Sequence, residues 1–219
     1  MTRAVPTWIL VLLAAGLAAQ AAWHGALGPP RLAAEALAPA PSARALRLAA
    51  FGEAEAASRL SMLYLQAFDL HAVDYAHLAT WLRTLLELDP RGQYPLFAAA
   101  RIYAEHPDPA HSRVMLELIH EQFQLDPDRR WPWLAHAALL AKHRLKDLAL
   151  ARRYAAAIDR QVRVEVPLWA RQMEIFILED MNELEAARIM LGGLLASGKI
   201  SDPAELSFLK QRLQELEKR

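Results

Sequence analysis

The sequence predicts an all-α protein built from stacked helical hairpins, and the main observation is a segment that occurs twice. Leu88-Asp89-Pro90 is followed by Tyr94-Pro95, and Leu125-Asp126-Pro127 is followed by Trp131-Pro132. A weaker copy of the second half stands at Val166-Pro167, so successive prolines lie 37 and 35 residues apart. That period is typical of helical hairpins that bury their apolar faces on one another. From about Ser42 onward no strand-like alternation of useful length interrupts the helical pattern.

Composition excludes several classes of function. The 219 residues suffice for one or two domains with a substantial core. With 25 basic and 25 acidic residues, the chain lacks the net positive charge that neutralises phosphates, so we expect no nucleic-acid partner. The absence of cysteine excludes disulfides, thiolate catalysis, zinc-thiolate sites and an acylated lipoprotein cysteine.

The N-terminal segment 1–28 carries a membrane or secretion signal. Arg3 precedes an uninterrupted apolar run of 12 residues from Trp8 to Ala19, and Ala21 to Leu27 extends it to about membrane length. We predict an uncleaved signal-anchor or transmembrane helix with a cytoplasmic N-terminus. A cleaved secretory signal and an N-terminal core helix are the alternatives. Arg31, Arg44 and Arg47 would favour the opposite orientation.

An Ala/Pro-rich stretch separates this segment from the repeats. Residues 29–42 contain four prolines, which lack a backbone donor and fix φ. The stretch is therefore predicted to be a semi-rigid linker, followed by a helical-repeat domain over 43–219.

The apolar periodicity divides the domain into four hairpins and a polar capping helix. The predicted helix pairs are 53–69 with 74–88, 95–105 with 109–124, 132–143 with 147–160, and 167–179 with 183–197, and the last helix runs from 203 to about 217. In the first helix, Leu60, Leu63, Tyr64, Ala67 and Phe68 have the spacing of a core-facing stripe.

Turn and cap residues support these boundaries. Pro95 and Pro132 are expected in first helical turns, and Asp108 precedes a proline at a helix start. Asn182 is expected to cap the second helix of the fourth hairpin, and Gly198 to end it.

These residues resemble the tetratricopeptide repeat family, whose helical pairs commonly end in a Leu-Asp-Pro-like segment. After Pro127 the resemblance places Trp133 at the leading aromatic position of the repeat, with Ala137, Ala149 and Ala156 at its small positions. After Pro90 it places Leu96, Ala100 and Tyr103 correspondingly. The match covers roughly residues 53–197, and its two middle hairpins fit best. The whole chain also looks like membrane-anchored helical-repeat proteins of proteobacterial envelopes.

The resemblance implies a right-handed superhelix whose first helices line a concave groove for a peptide or a partner helix. Trp133 would lie in the core. The implied groove residues are Tyr94, Phe97, Arg101, Trp131, Leu134, Lys142, Trp169 and Met173.

No pattern in the sequence predicts catalysis, a cofactor or a metal. His106 and His111 are five residues apart, and none of the eight histidines has the spacing of a known zinc motif, so we expect solvated or capping histidines. No glycine-rich phosphate loop and no nucleophile elbow occur. The doublet Arg129-Arg130 is interpreted as a solvated face. We therefore expect neither an enzyme nor a small-molecule substrate.

Together these features predict a single-pass scaffold for protein–protein interaction in a bacterial inner membrane, with its repeat domain in the periplasm. Two alternatives remain open. One is an assembly or quality-control factor that holds envelope proteins transiently, and the other is a stoichiometric structural subunit of a membrane complex.

Overall fold

The structure, a computed structural model, describes residues 7–27, 37–198 and 200–218 and confirms the all-α class. No strand occurs within those ranges. The helices are α1 (Thr7–Leu27), α2 (Ala43–Ala49), α3 (Ala54–Leu65), α4 (Tyr75–Leu88), α5 (Tyr94–Ala98), α6 (Pro109–Leu125), α7 (Pro127–His143), α8 (Leu148–Gln161), α9 (Leu168–Asp180), α10 (Leu184–Ala196) and α11 (Pro203–Glu217). A π-helical turn, Ala99–Tyr103, continues α5.

The chain divides into two compact units, Met1–Glu35 and Ala36–Arg219. In the first unit, α1 spans 21 residues and exposes large apolar side chains, including Trp8, Leu17 and Trp23. None of the described helices has both the length and the apolar character needed to cross a membrane. The predicted basic tail, the last residue of the predicted segment 1–28 and residues 29–36 of the predicted linker lie outside the described part of the chain.

In the second unit each helix packs mainly against its neighbours along the chain. From α6 to α11 every helix contacts the next, α4 also contacts α6, and α7 contacts the π-turn. Short connections between such helices produce antiparallel pairs. This order of contacts fits an α-solenoid loosely, and the tetratricopeptide-like superhelix stays a prediction.

Alanines line several helix contacts of the main core. Ala100 and Ala137 are fully buried in that core, whereas Ala156 is buried without belonging to it; the repeat resemblance implied small residues at all three positions. Ala149, implied at another small position, is instead exposed. A second core, which includes Leu178, Leu191 and Leu209, joins α9, α10 and α11.

Most predicted helix ends are confirmed, and two are corrected. The Asp108 carboxylate accepts the Ala110 N–H at 2.8 Å, and Gly198 ends α10 with φ of 68°. Asn182 does not cap α10, because it adopts φ of 61° directly after α9 and thus ends that helix. Pro132 does not open a helix but lies inside α7, which begins five residues earlier at Pro127.

The two Leu-Asp-Pro segments therefore have different structures. Asp126 ends α6, and α7 begins at the next residue. After Asp89 the chain instead makes a turn, in which the Asp89 carboxylate accepts the Arg91 N–H at 3.2 Å, and α5 starts only at Tyr94. The same Leu-Asp-Pro sequence is thus followed by connections of different structure.

Arg130 ties these two segments together. Its side chain is 4% exposed, which corrects the prediction of a solvated doublet. The guanidinium donates to the Gln122 carbonyl and to Gln122 Oε1, both at 2.8 Å, and to the Pro90 carbonyl at 3.1 Å. Burial lowers the pKa of Arg130, although Asp126 opposes that shift. Arg129, by contrast, lies at the surface.

The end of the predicted linker packs on the helical domain. Leu37 is buried in the main core, and Ala40 lies against it. The Trp81 indole N–H donates to the Ala38 carbonyl at 2.7 Å. These contacts anchor residues 37–40, so the described end of the stretch is not a free spacer.

The first repeat helix faces the core with a different side from the one predicted. Leu60 and Leu63 are 64% and 62% exposed, whereas Ser61, Met62 and Leu65 face inward. The apolar stripe has helical spacing, but although α2 contacts α3, no described helix covers the side that carries Leu60 and Leu63. The helical spacing identified an apolar face of α3, but it did not show whether another part of the protein covers that face.

The Arg130 contacts generate a prediction of stability. Arg130→Ala should lower the free energy of unfolding by about 2–4 kcal/mol, because it leaves buried carbonyl oxygens without donors. Arg129→Ala is the matched control and should change it by less than about 0.5 kcal/mol. Urea unfolding of the full chain in detergent measures both. Equal stability of the two variants would contradict the role of Arg130.

Candidate functional site

Five aromatic side chains from three helices form the candidate site. Tyr94 and Phe97 belong to α5, Trp131 and Trp133 to α7, and Trp169 to α9. We call these five residues the aromatic surface.

Ring contacts bridge successive helices of this surface. Phe97 lies 6.0 Å from Tyr94 and 6.1 Å from Trp133, measured between ring centroids. On the other flank of α7, Trp131 lies 5.9 Å from Trp169 at an interplanar angle of 56°. Offset and edge contacts of this kind are favourable for aromatic pairs. The surface therefore connects α5 to α7 and α7 to α9.

The sequence Trp131-Pro132-Trp133 explains how one helix serves both contacts. Residues two apart on an α-helix point about 200° apart, so the two indoles lie on opposite flanks of α7. Pro132 lies between them and is exposed. One flank meets α5 and the other meets α9.

The rings are more exposed than core packing requires. Tyr94, Phe97 and Trp169 are 45%, 40% and 51% exposed, and Trp131 and Trp133 are half-buried against the main core. Large aromatic side chains that keep 40–51% of their area in solvent, as Tyr94, Phe97 and Trp169 do, are typical of a binding surface.

Hydrogen bonds fix one half of the aromatic surface. Gln66 donates to the Tyr94 hydroxyl at 2.6 Å, and the Trp133 indole N–H donates to Gln93 Oε1 at 2.7 Å. The Trp131 and Trp169 indoles make no hydrogen bond with any described residue. The first half is therefore held by the protein, whereas the Trp131–Trp169 pair presents free donors.

The two basic residues predicted for the groove lie on the same helices. Arg101, in the π-turn, is exposed and places its guanidinium 3.5 Å from His136 Nε2. Burial, with the Arg101 charge second, lowers the pKa of His136, so its ring is neutral near pH 7 and can accept from Arg101. Lys142 forms an ion pair with Asp180 and so joins α7 to α9.

Three of the sequence assignments are corrected. Leu134 is fully buried and Met173 nearly so; both belong to the main core and cannot line a groove. Trp133, expected in the core, is only half-buried and joins the aromatic surface. The π-turn next to Phe97 was also unforeseen, and such turns are frequent at functional sites.

A second cluster joins three histidines near the turns of the first two hairpins. His106 Nε2 lies 3.2 Å from His71 Nδ1, and His106 Nδ1 lies 3.1 Å from His111 Nδ1. The Asp108 N–H donates to His106 Nδ1 at 3.0 Å, so the neutral His106 ring carries its proton on Nε2. Arg144 donates to the His106 carbonyl at 2.7 Å.

This chain of imidazoles does not form a metal site. The two nitrogens of His106 point to different neighbours, so the three rings do not converge on one point. Within the described ranges, no group of three His, Cys, Asp or Glu side chains is placed to hold a metal ion. The cluster instead links the connection before α4 to the connection before α6.

Comparisons with protein-family models, with curated proteins and with solved structures give no match.

The histidine chain predicts a pH dependence of stability. Burial, and then the charges of His111 and His71, lowers the pKa of His106, Arg144 acts in the same direction, and Asp108 opposes the shift. The unfolded chain thus binds this proton more readily, so His106 stabilises the fold above about pH 6.5 and this contribution is lost as pH falls below it.

The free energy of unfolding, measured from pH 7.5 to 5, should fall less steeply for His106→Asn than for the parent. Because Asp74 lies near both His77 and His111 and caps α4, neither Asp74 nor His77 should be substituted in this test. His143→Asn, at an exposed position, is the control and should retain the parent slope. An unchanged slope in His106→Asn would contradict the assignment.

Proposed function

We propose that this protein is a membrane-attached scaffold whose aromatic surface binds a peptide or a helix of a partner protein. The observation that carries the proposal is the set of five aromatic rings across α5, α7 and α9, of which Tyr94, Phe97 and Trp169 are 40–51% exposed while Trp131 and Trp133 are partly buried. On the repeat resemblance these are first helices of their pairs, which would line the concave side of a tetratricopeptide-like superhelix.

The energetics of binding support such a use. Aromatic anchors bury a large apolar area and lose little side-chain entropy, so they dominate the free energy of many interfaces. Arg101 lies next to this surface along the chain and would supply a charged rim contact. The α7 helix packs within the stack, so the anchors stand on a preorganised scaffold.

Attachment to a bacterial inner membrane, with residues 43–219 in the periplasm, is part of the proposal. The apolar run from Trp8 to Ala19, the basic Arg3 before it and the exposed apolar side chains of α1 support it. The tryptophans near both ends of α1 have the placement of interfacial anchors.

A structural subunit of a membrane complex is the second candidate, and the face of α3 favours it. Leu60 and Leu63 form an exposed apolar stripe on the first helix pair. A terminal repeat with such a face needs a cover, since isolated repeat arrays end in polar faces. Constant co-purification with one complex through this face would favour the second candidate over the first.

Binding is tested by photo-crosslinking in intact cells. A crosslinker at Phe97 should capture a discrete partner, and the double variant Trp131→Ala and Trp169→Ala should weaken its binding by about 2 kcal/mol or more, since anchor rings are lost. A crosslinker at Ile189, an exposed apolar residue of α10, is the control and should not capture that partner. Equal capture in the double variant would refute the aromatic surface as the binding site.

Membrane attachment is tested by fractionation and by a topology reporter. The parent should remain in the membrane pellet after alkaline extraction, and a reporter fused after Arg219 should be active only outside the cytoplasm. Leu13→Arg with Leu17→Arg should release the chain, because each charge costs about 2.5–3.5 kcal/mol at the centre of an apolar helix. Release of the parent, or a reporter active only in the cytoplasm, would contradict the proposed location.

A further inference from the structure

The structure contains a proline-containing segment of its own docked on an aromatic cluster. Leu37 is 3% exposed, and the Trp81 indole N–H donates to the Ala38 carbonyl at 2.7 Å. The Tyr64 ring packs against Trp81 at 5.5 Å and against Phe68 at 5.0 Å. Here an indole donor and the burial of Leu37 hold a non-helical stretch of chain, while Pro39 and Pro41 are exposed.

The backbone conformation of this proline-containing segment explains why its carbonyl groups need hydrogen-bond donors from outside the segment. Proline fixes φ, and the residue before a proline avoids the helical region, so Ala38-Pro39-Ala40-Pro41 is biased toward polyproline II. Ser42, which follows it, has φ of −66° and ψ of 151°, close to that conformation. A polyproline II segment has no internal hydrogen bonds, so its carbonyl groups accept from donors outside it.

The Trp131–Trp169 pair also has indole donors, and no described residue of this chain accepts a hydrogen bond from them. Of the four tryptophans after residue 36, Trp81 and Trp133 use their indole N–H groups within the protein. The other two indoles make no hydrogen bond with any described residue, and they lie 5.9 Å apart beside the exposed Pro132. Two adjacent flat rings with free donors thus stand on the accessible face of α7 and α9.

We infer that the Trp131–Trp169 pair binds an extended, proline-containing segment of the partner in the polyproline II conformation. Proline rings would pack on the indole faces, and partner carbonyl groups would accept from the two indole N–H groups. Such a segment is largely preorganised, so it loses little conformational entropy on binding. This inference rests on the proposed function, and it narrows the partner to a protein with an extended, proline-containing segment.

An amphipathic helix fits this pair less well. The carbonyl groups inside a helix already accept intrahelical hydrogen bonds, so only its last turn could use the free indole donors. Burial of two unpaired indole N–H groups under the apolar side of a helix would carry a desolvation cost. The free donors therefore favour an extended ligand.

The test is an NMR titration of the full chain in detergent, with the tryptophan indole nitrogens labelled. The probe is a synthetic (Ala-Pro)₇ peptide, and a fourteen-residue amphipathic Leu/Lys/Glu helix is the comparison probe. We expect the indole resonances of Trp131 and Trp169 to shift with the (Ala-Pro)₇ peptide while that of Trp133 stays in place. The double variant Trp131→Phe and Trp169→Phe keeps aromatic rings but removes both donors, and its affinity should fall at least about tenfold.

Each other outcome overturns the inference. Equal affinity in the double Phe variant would show that the indole donors are not used. A shift of the Trp81 resonance alone would place the probe on the cluster that already holds Leu37–Ala40. Binding of the helical probe alone would exclude the polyproline ligand and leave the proposed function standing. The proposed function fails separately, if Trp131→Ala with Trp169→Ala does not reduce capture at Phe97 in intact cells.

Discussion

Most helices of the second unit bury apolar side chains against the helices beside them in the chain, and the other features follow from this constraint. The buried contacts consequently follow the order of the helices in the chain, from those between α4 and α6 to the second core between α9 and α11. Such an array leaves two kinds of surface open, the face of the terminal helix and the sides of the first helices. The exposed stripe of α3 and the aromatic surface are these two surfaces.

Polar contacts between successive hairpins fix how they meet. Arg83 pairs with Glu121, Arg113 with Asp147 and Arg153 with Glu117, so charged pairs 34 to 38 residues apart recur along one stack. These pairs are exposed and contribute little individually. Arg130 differs because its donors satisfy buried carbonyl oxygens, which makes it specific for one arrangement. The histidine chain has a similar bridging position, but it depends on protonation.

The aromatic surface combines rigidity with unused recognition groups. Tyr94 and Trp133 are held by glutamine side chains, so this half is already ordered before any partner arrives. Trp131 and Trp169 contribute ring area and free donors. The same protein already shows, at Trp81, how an indole donor holds an Ala-Pro segment. The proposed binding pair, Trp131 and Trp169, would offer the same indole chemistry to an extended partner segment.

The sequence by itself determined the helical class and most helix boundaries. Local signals decide these features, since a cap such as Asp108 and a proline act within one turn. Only the tertiary structure decided which faces are covered. The helical spacing that placed Leu60 on an apolar face does not distinguish a buried face from an exposed one. Likewise, the two identical Leu-Asp-Pro segments are followed by different connections. Burial of Leu134, Met173 and Arg130, and the half-exposure of Trp133, depend on neighbours about one repeat away, and no local pattern encodes that packing.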